Sequence, residues 1–250
     1  MDFTLDIYKK LLVSLKNRDS NFQTFDEYIT APKKNVIILR HDVDLLPKNS
    51  LAFAQIQNDL GIKGVYYFRA VPESWDESII KEIGLLGHEI GYHYESLTTT
   101  NGNIEKGIED FTKNLELLRG IARISTICMH GSPASKFDSK DLWKTYSYRD
   151  WGIIGEPYFD VDFNNIFYIT DTGRRWDGNK VSVRDKVSTT FELSFHNTNE
   201  IIESLERDKF PKNAMFTFHP QRWTNQILPW VKELVLQNTK NIIKKHLFVK

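Results

Sequence analysis

The sequence holds a single cysteine, Cys128, among 250 residues. An internal disulfide is therefore excluded, as is a zinc site built on several thiolates. Neither charge is in surplus, since 33 Lys and Arg balance 33 Asp and Glu. That balance argues against a general nucleic-acid or acidic-membrane binder, which usually carries excess cation. It leaves room for a local basic patch. Long apolar runs are missing: the purely apolar stretches span a few residues, against the ~20 needed to cross a bilayer. The start, Met1-Asp2-Phe3-Thr4, carries an acid early and lacks the apolar core of a secretory leader. No membrane span and a cytoplasmic location are expected. Repeats, low-complexity linkers and composition breaks are absent too. One domain over residues 1–250 is expected, with residues 1–35 as an N-terminal helical extension.

What is present is a rhythm. Phe3, Ile7, Leu11, Leu12 and Leu15 recur at helical spacing and predict an amphipathic helix over 3–16. The run Val36-Ile37-Ile38-Leu39 reads as a strand covered on both faces. Pro47 opens the next helix and Gly61 closes it. Further strands are expected at Val65–Phe68, Glu89–Tyr92, Ser125–Met129, Thr189–Phe195 and Ala214–Phe218. Helices are expected from Ser74, as N-cap, to Leu86, and over Ile104–Leu118, 199–207 and from about Pro229 onward. Residues 146–187 show no helical period and read as irregular strands and long loops. Strand–helix units of roughly 30 residues predict an α/β fold, a mostly parallel sheet or barrel with helices outside.

Five of the seven histidines fall at or just after a predicted strand end: His41, His93, His130, His196 and His219. In parallel α/β folds these ends share one rim, where sites are built. The first strand ends in Arg40-His41-Asp42-Val43-Asp44. Carboxylates two apart on an extended chain share a face. Two such charges close together need a cation or protons to neutralise them. A metal on one and a general-base role for the other resolves the conflict, whereas a helix cap and a solvated acid would be the structural alternative.

These residues resemble the polysaccharide deacetylases of the NodB-homology type, carbohydrate esterase family 4. Asp42-Val43-Asp44 is similar to the family's first motif in its Asp-x-Asp form, and Gly87-His88-Glu89-Ile90-Gly91-Tyr92-His93 is similar to its second. Thr217-Phe218-His219 is similar to the last, and Ile127–Pro133 falls where the third lies. The resemblance covers residues 36 to about 220. It implies a deformed (β/α) barrel, with Asp42 as general base, Asp44 and His93 as metal ligands and His219 as general acid. The family's second histidine ligand lies four residues after the first, where this chain has Leu97. His130 is the candidate replacement, with His196 and Glu95 in reserve. Asp44, His93 and His130 would suit catalytic zinc, and other divalent metals accept the same set.

The implied function is metal-dependent removal of an N-acetyl or similar acyl group from a sugar or polysaccharide precursor. Within Thr172–Gly178, Arg175 and Trp176 are candidate substrate-binding residues, because Trp stacks on sugar faces and Arg pairs with anions. A carbohydrate partner is expected, and no nucleic acid. Two other functions fit the sequence. One is a non-catalytic carbohydrate-binding protein, which the missing histidine at Leu97 would explain. The other is a metal-dependent sugar-nucleotide glycosyltransferase using Asp42-Val43-Asp44 or Asp160-Val161-Asp162.

Overall fold

The computed structural model describes residues 1–132, 135–177 and 187–247. In chain order the elements are α1 (Leu5–Lys16), β1 (Asn21–Gln23), α2 (Phe25–Thr30), β2 (Val36–Val43), α3 (Pro47–Asp59), β3 (Val65–Phe68), α4 (Glu77–Leu85) and β4 (Glu89–Tyr94). They continue with α5 (Ser96–Thr99), α6 (Ile104–Arg119), β5 (Ile124–Met129), α7 (Pro157–Asp160), β6 (Phe167–Thr170), α8 (Thr198–Glu206), β7 (Ala214–Phe218) and α9 (Ile227–Leu247). Among the described residues, short 3-10 helices lie at Ser139–Lys144, Tyr148–Trp151 and Pro220–Arg222.

All pairings between these strands are parallel. The seven-stranded sheet runs β5-β4-β3-β2-β7-β6, and β1 lies off that path against β2. One edge of β2 is shared: Val36–Ile38 pair with β1, and Arg40–Val43 pair with β3. Parallel neighbours need crossovers, and α3, α4 and α6 supply them between β2, β3, β4 and β5. The strand–helix rhythm predicts this mostly parallel sheet with outer helices, and its deformed-barrel form is the one that the resemblance implies.

Period-two alternation sorts each strand onto two faces. Ile37, Leu39 and Val43 join the large outer core with Tyr8, Leu11, Phe53, Ile80, Phe111 and Leu115 of the helices. Val36 and Ile38 face inward with Val65, Tyr67, Cys128 and Met215, where Phe25, Val161, Phe163 and Ile166 fill the barrel. Gly91 lies on the inner side of β4 because a Cβ there would run into the Tyr67 ring and the Thr126 carbonyl. Within residues 1–35, α1 buries Tyr8, Leu11, Leu12 and Leu15, and Asn21–Gln23 is a strand of the sheet rather than part of a helix.

Two local expectations are corrected. Ser74 does not cap α4. Asp76 does, accepting from the N–H groups of Ser78 and Ile79, while Ser74 Oγ turns back to donate to the Val43 carbonyl at 2.5 Å. Thr189–Phe195 is not a strand, because β6 already occupies the edge of β7, and Phe191 and Phe195 instead pack their rings on Phe167. Between α1 and β2 the chain also forms β1 and the Thr24–Glu27 capping box that starts α2. Pro133 and Gly178, at the ends of two predicted loops, lie outside the described residues.

Candidate metal centre

The same alternation that builds the barrel wall builds the site. On the inner face, β2 presents Val36, Ile38, Arg40 and Asp42, followed by Asp44 just past the strand. β4 presents Glu89, Gly91 and His93, β5 presents Thr126 and Cys128 with His130 next, and β7 presents Met215 and Thr217 with His219 next. Sheet order then decides who meets. β4 and β5 pair with His93 opposite Cys128, and His130 N–H donates to the Tyr94 carbonyl at 2.8 Å.

Asp44, His93 and His130 converge, each offering a donor atom within 4.8 Å of the others. Asp44 Oδ1 lies 3.1 Å from His130 Nδ1 and 3.6 Å from His93 Nε2. His130 Nδ1 is 3.3 Å from His93 Nε2. Asp42 Oδ2 is 3.7 Å from His93 Nε2. His130 therefore stands beside Asp44 and His93, whereas Leu97 is buried in the outer core.

The trio suits a cation for two reasons. Asp44 Oδ1 is buried without a hydrogen-bond partner, an arrangement that costs free energy unless something else meets it. His93 is also held in the right tautomer: its Nδ1–H donates to the Cys128 carbonyl at 2.9 Å, which leaves the Nε2 lone pair facing Asp44. Gln221 Nε2–H donates to Asp44 Oδ2 at 3.0 Å and fixes the carboxylate from behind. Glu95 is not in the trio. Arg69 clamps it in a two-pronged ion pair of 2.8 and 2.9 Å, and its Oε2 stays 4.0 Å from His130 Nε2.

Asp42 is fully engaged by one neighbour. Arg40 Nε donates to its Oδ1 at 2.8 Å and Arg40 Nη2 to its Oδ2 at 2.6 Å, both side chains being buried. Burial alone would raise the Asp42 carboxyl, but the guanidinium, aided by His93, holds it below the usual carboxylate range. Asp44 behaves alike: burial opposes ionisation, and the His130 imidazole overcomes it.

On the other flank stands a residue that the sequence did not single out. Asp171, one residue past β6, is completely buried and receives four donors. His219 Nδ1 contacts its Oδ1 at 2.6 Å and His219 N–H its Oδ2 at 3.0 Å. Arg222 Nη1 and Trp223 Nε1 add bonds of 3.0 and 2.6 Å. His219 Nε2 is left pointing toward Asp44 Oδ2, 3.9 Å away. Burial and Arg222 would lower the His219 pKa, but Asp171 reverses them and raises it. The run Phe167-Tyr168-Ile169-Thr170-Asp171, a β-rich segment ending in an acid, was the available signal.

The remaining sequence candidates lie elsewhere. His41 faces outward, with Nδ1 2.9 Å from the Val65 carbonyl and Nε2 near Tyr8 and Gln57. His196 is exposed, 3.6 Å from Asp177. Trp176 is buried among Phe3, Phe216, Phe218 and Trp223, and its indole N–H donates to Thr198. No indole face is left open to a sugar. Arg175 forms a two-pronged ion pair with Asp177. In the second acidic triplet, Asp160 takes donors from Tyr148, Arg149 and Glu156 N–H, and Asp162 caps its own turn at Asn164 and Asn165.

No protein-family model and no curated protein matches the chain. Among solved structures, it is similar to BA3943, a CE4 family pseudoenzyme from Bacillus anthracis, at 12% identity and a TM-score of 0.47, over 85% of this chain and 62% of that one. It is similar to the peptidoglycan deacetylase PdaC of Bacillus subtilis at 11% identity and a TM-score of 0.40, over 86% and 98%. It is also similar to Bacillus subtilis PdaA, a family 4 carbohydrate esterase, at 13% identity and a TM-score of 0.37, over 92% and 90%. The chain thus spans less than two thirds of the length of the BA3943 structures it matches.

Proposed function

We propose that the protein is a divalent-metal-dependent hydrolase that removes an N-acetyl or similar acyl group from a sugar or polysaccharide precursor. One observation carries the proposal: Asp44, His93 and His130 gather at the rim, with Asp42 on one side and an Asp171-held His219 on the other. Two imidazoles and one carboxylate suit zinc. When bound, the ion supplies a Lewis acid that polarises the amide carbonyl and acidifies water.

The protein's own groups do the proton work. Asp42, kept ionised by Arg40, takes the proton of the attacking water. His219, with its pKa raised, is protonated and gives the Nε2 proton to the departing nitrogen. Asp171 fixes the proton on Nδ1 and steadies the imidazolium, so only Nε2 is free to act. The acid is held protonated and the base ionised by opposite environments, as paired acid–base roles require. Arg175 remains the candidate contact to an anionic sugar, and a cytoplasmic precursor is the proposed substrate pool.

A second reading has its own observation. The two-pronged Arg40–Asp42 pair occupies both oxygens of the proposed base, as in a carbohydrate-binding protein without catalysis. Acetate release from N-acetylated sugar oligomers in the presence of zinc separates the two. Under the hydrolase reading, Asp42→Asn and His219→Ala each lower turnover by ~10²–10⁴. Robust release by both variants removes the mechanism, and no release by the zinc-loaded wild type favours the binding protein. His93→Ala and His130→Ala should each lose bound metal; if only His93→Ala does, the third ligand lies elsewhere.

A further inference from the structure

The C-terminal helix has more apolar surface than its packing uses. α9 is tied to the body on one side: Trp230 Nε1–H donates to the Asp2 carbonyl, Asn241 to the Gly173 carbonyl, and Gln237 is buried. A second stripe runs beside that face through Ile227, Leu228, Val231, Val235 and Ile242, spaced as one side of a helix. All five are exposed, from 45% at Val231 to 83% at Leu228. A surface helix needs only one apolar face, and an uncovered second one marks an interaction surface.

Its position ties it to the metal centre. Gly173 and Arg174, which hold α9, follow Asp171, the partner of His219. The segment that leads into α9 from His219 is held by Asn49, which donates to the Pro220 and Trp223 carbonyls. Asn49 lies in the first turn of α3, three residues after Leu46. There Leu45 and Leu46 are exposed directly after Asp44. Leu46 takes a left-handed φ of 55°, rare for a leucine. The turn is clamped: Leu46 N–H donates to the Glu73 carbonyl, and Arg69 Nη1 donates to the Asp44 carbonyl. Leu45 and Leu46 thus follow the carboxyl end of β2, and α9 is held by the segment that follows the carboxyl end of β6, the end at which Asp44, His93 and His130 stand.

We infer that α9 is an interfacial helix that docks this end of the protein on an anionic lipid surface, with Leu45 and Leu46 entering beside it. Three points choose that occupant. The stripe is about 24 Å long and one helix wide, about 10 Å. That is far below the ~800 Å² per partner of a stable protein interface, yet a single helix of this kind suffices at a bilayer surface. Lys232 and Lys240 are exposed on the same helix, whose sequence holds four lysines (Lys232, Lys240, Lys244 and Lys245) against one acid, Glu233. The local cation excess complements anionic headgroups although the whole chain is neutral. The consequence for substrate rests on the proposed hydrolase: its sugar would be borne by a lipid.

Co-sedimentation with vesicles tests the docking without any turnover. The full chain is expected to pellet with phosphatidylcholine vesicles that contain phosphatidylglycerol, and much less with phosphatidylcholine alone or in high salt. Val231→Glu with Val235→Glu should abolish pelleting while the melting temperature holds, since both side chains are exposed. Lys232→Gln and Lys240→Gln should each weaken it about fivefold. The inference is overturned if wild type stays in the supernatant or if the double glutamate variant pellets equally. It is also overturned if wild type is a dimer in light scattering that the double variant converts to monomer, which assigns the stripe to a second copy. A protein that pellets but hydrolyses nothing leaves the docking intact and sinks only the reaction; an active enzyme that ignores vesicles does the reverse.

Discussion

At the carboxyl end of β4 the inner wall of the barrel holds His93; four residues earlier, on the same face, it holds Glu89. Glu89 accepts the Asp26 N–H at 2.8 Å and the Thr126 hydroxyl, with the Asp26 carboxylate nearby. Burial pushes its carboxyl up to about 7. At the other end Asp42 and Asp171 are buried and Asp44 is half-buried, yet all three are held below the ordinary range. The difference is the neighbour that faces each: the Arg40 guanidinium for Asp42, the His130 imidazole for Asp44, His219 and Arg222 for Asp171. Depth alone silences an acid, and a placed basic neighbour readies it. Glu156 repeats the lesson behind the site, where burial outweighs the distant pull of Arg40 and raises it to about 7.

The sharpest way to break this comparison is to change one acid at each end. Asp171→Asn should lower turnover by ~10²–10⁴ with little change in KM, because the amide no longer stabilises the imidazolium. The basic limb of the pH–rate profile should move to lower pH, which a purely structural defect would not produce. Glu89→Gln should leave turnover within about twofold. Equal losses in steady-state acetate release would erase the distinction between the two ends.

A smaller effect is expected behind the ligands. Gln221→Ala removes the donor that steadies Asp44 Oδ2 and should weaken zinc binding about 10–100-fold, read by competition with a chelating dye. Unchanged affinity would mean that Asp44 holds its geometry unaided.

Stability against pH sharpens the comparison from the Glu89 side. Its folded pKa of about 7 lies above the ordinary 4.5. The neutral form is therefore the one the fold prefers. Its contribution is complete below about 4.5 and is lost as pH rises through 7. Urea unfolding at pH 5 and pH 8 should show a loss of ~1–2 kcal/mol from this group, which Glu89→Gln removes. No change in slope with Glu89→Gln would place the carboxyl in water.

The weakest effect runs the opposite way. Burial lowers His41 to about 3 and His88 to about 4, against an ordinary 6.5. Stability from these neutral imidazoles is present above about 6.5 and is lost as pH falls toward those values. His88→Gln should flatten the acid limb by ~1 kcal/mol, measured by thermal unfolding between pH 4 and 7. A limb as steep as wild type would mean that His41 alone carries it.

Much of the site could be read from local pattern. Asp42 and Asp44 share a face by alternation, and so does Arg40, two residues before, whose pairing with Asp42 the same parity allowed. That parity also sends His41 to the outer face. Asp171 was harder, because its strand is only four residues long and sits in a region without period. Trp176 looked like a loop residue from its Gly, Arg and Asp neighbours, yet Phe3 and Trp223, far away in sequence, enclose it. His196 followed a run that alternates like a strand but found no free edge to join.

Sequence alone determined the strand–helix rhythm, the shared face of Asp42 and Asp44 and the place of His93 and His219 at strand ends. Only the tertiary structure decided that His130 stands beside His93 and that Asp171 grips His219. Periodicity acts within a few residues of one strand, whereas distances between side chains on different strands follow from sheet order and register, which β4–β5 and β6–β7 pairing set across the whole chain.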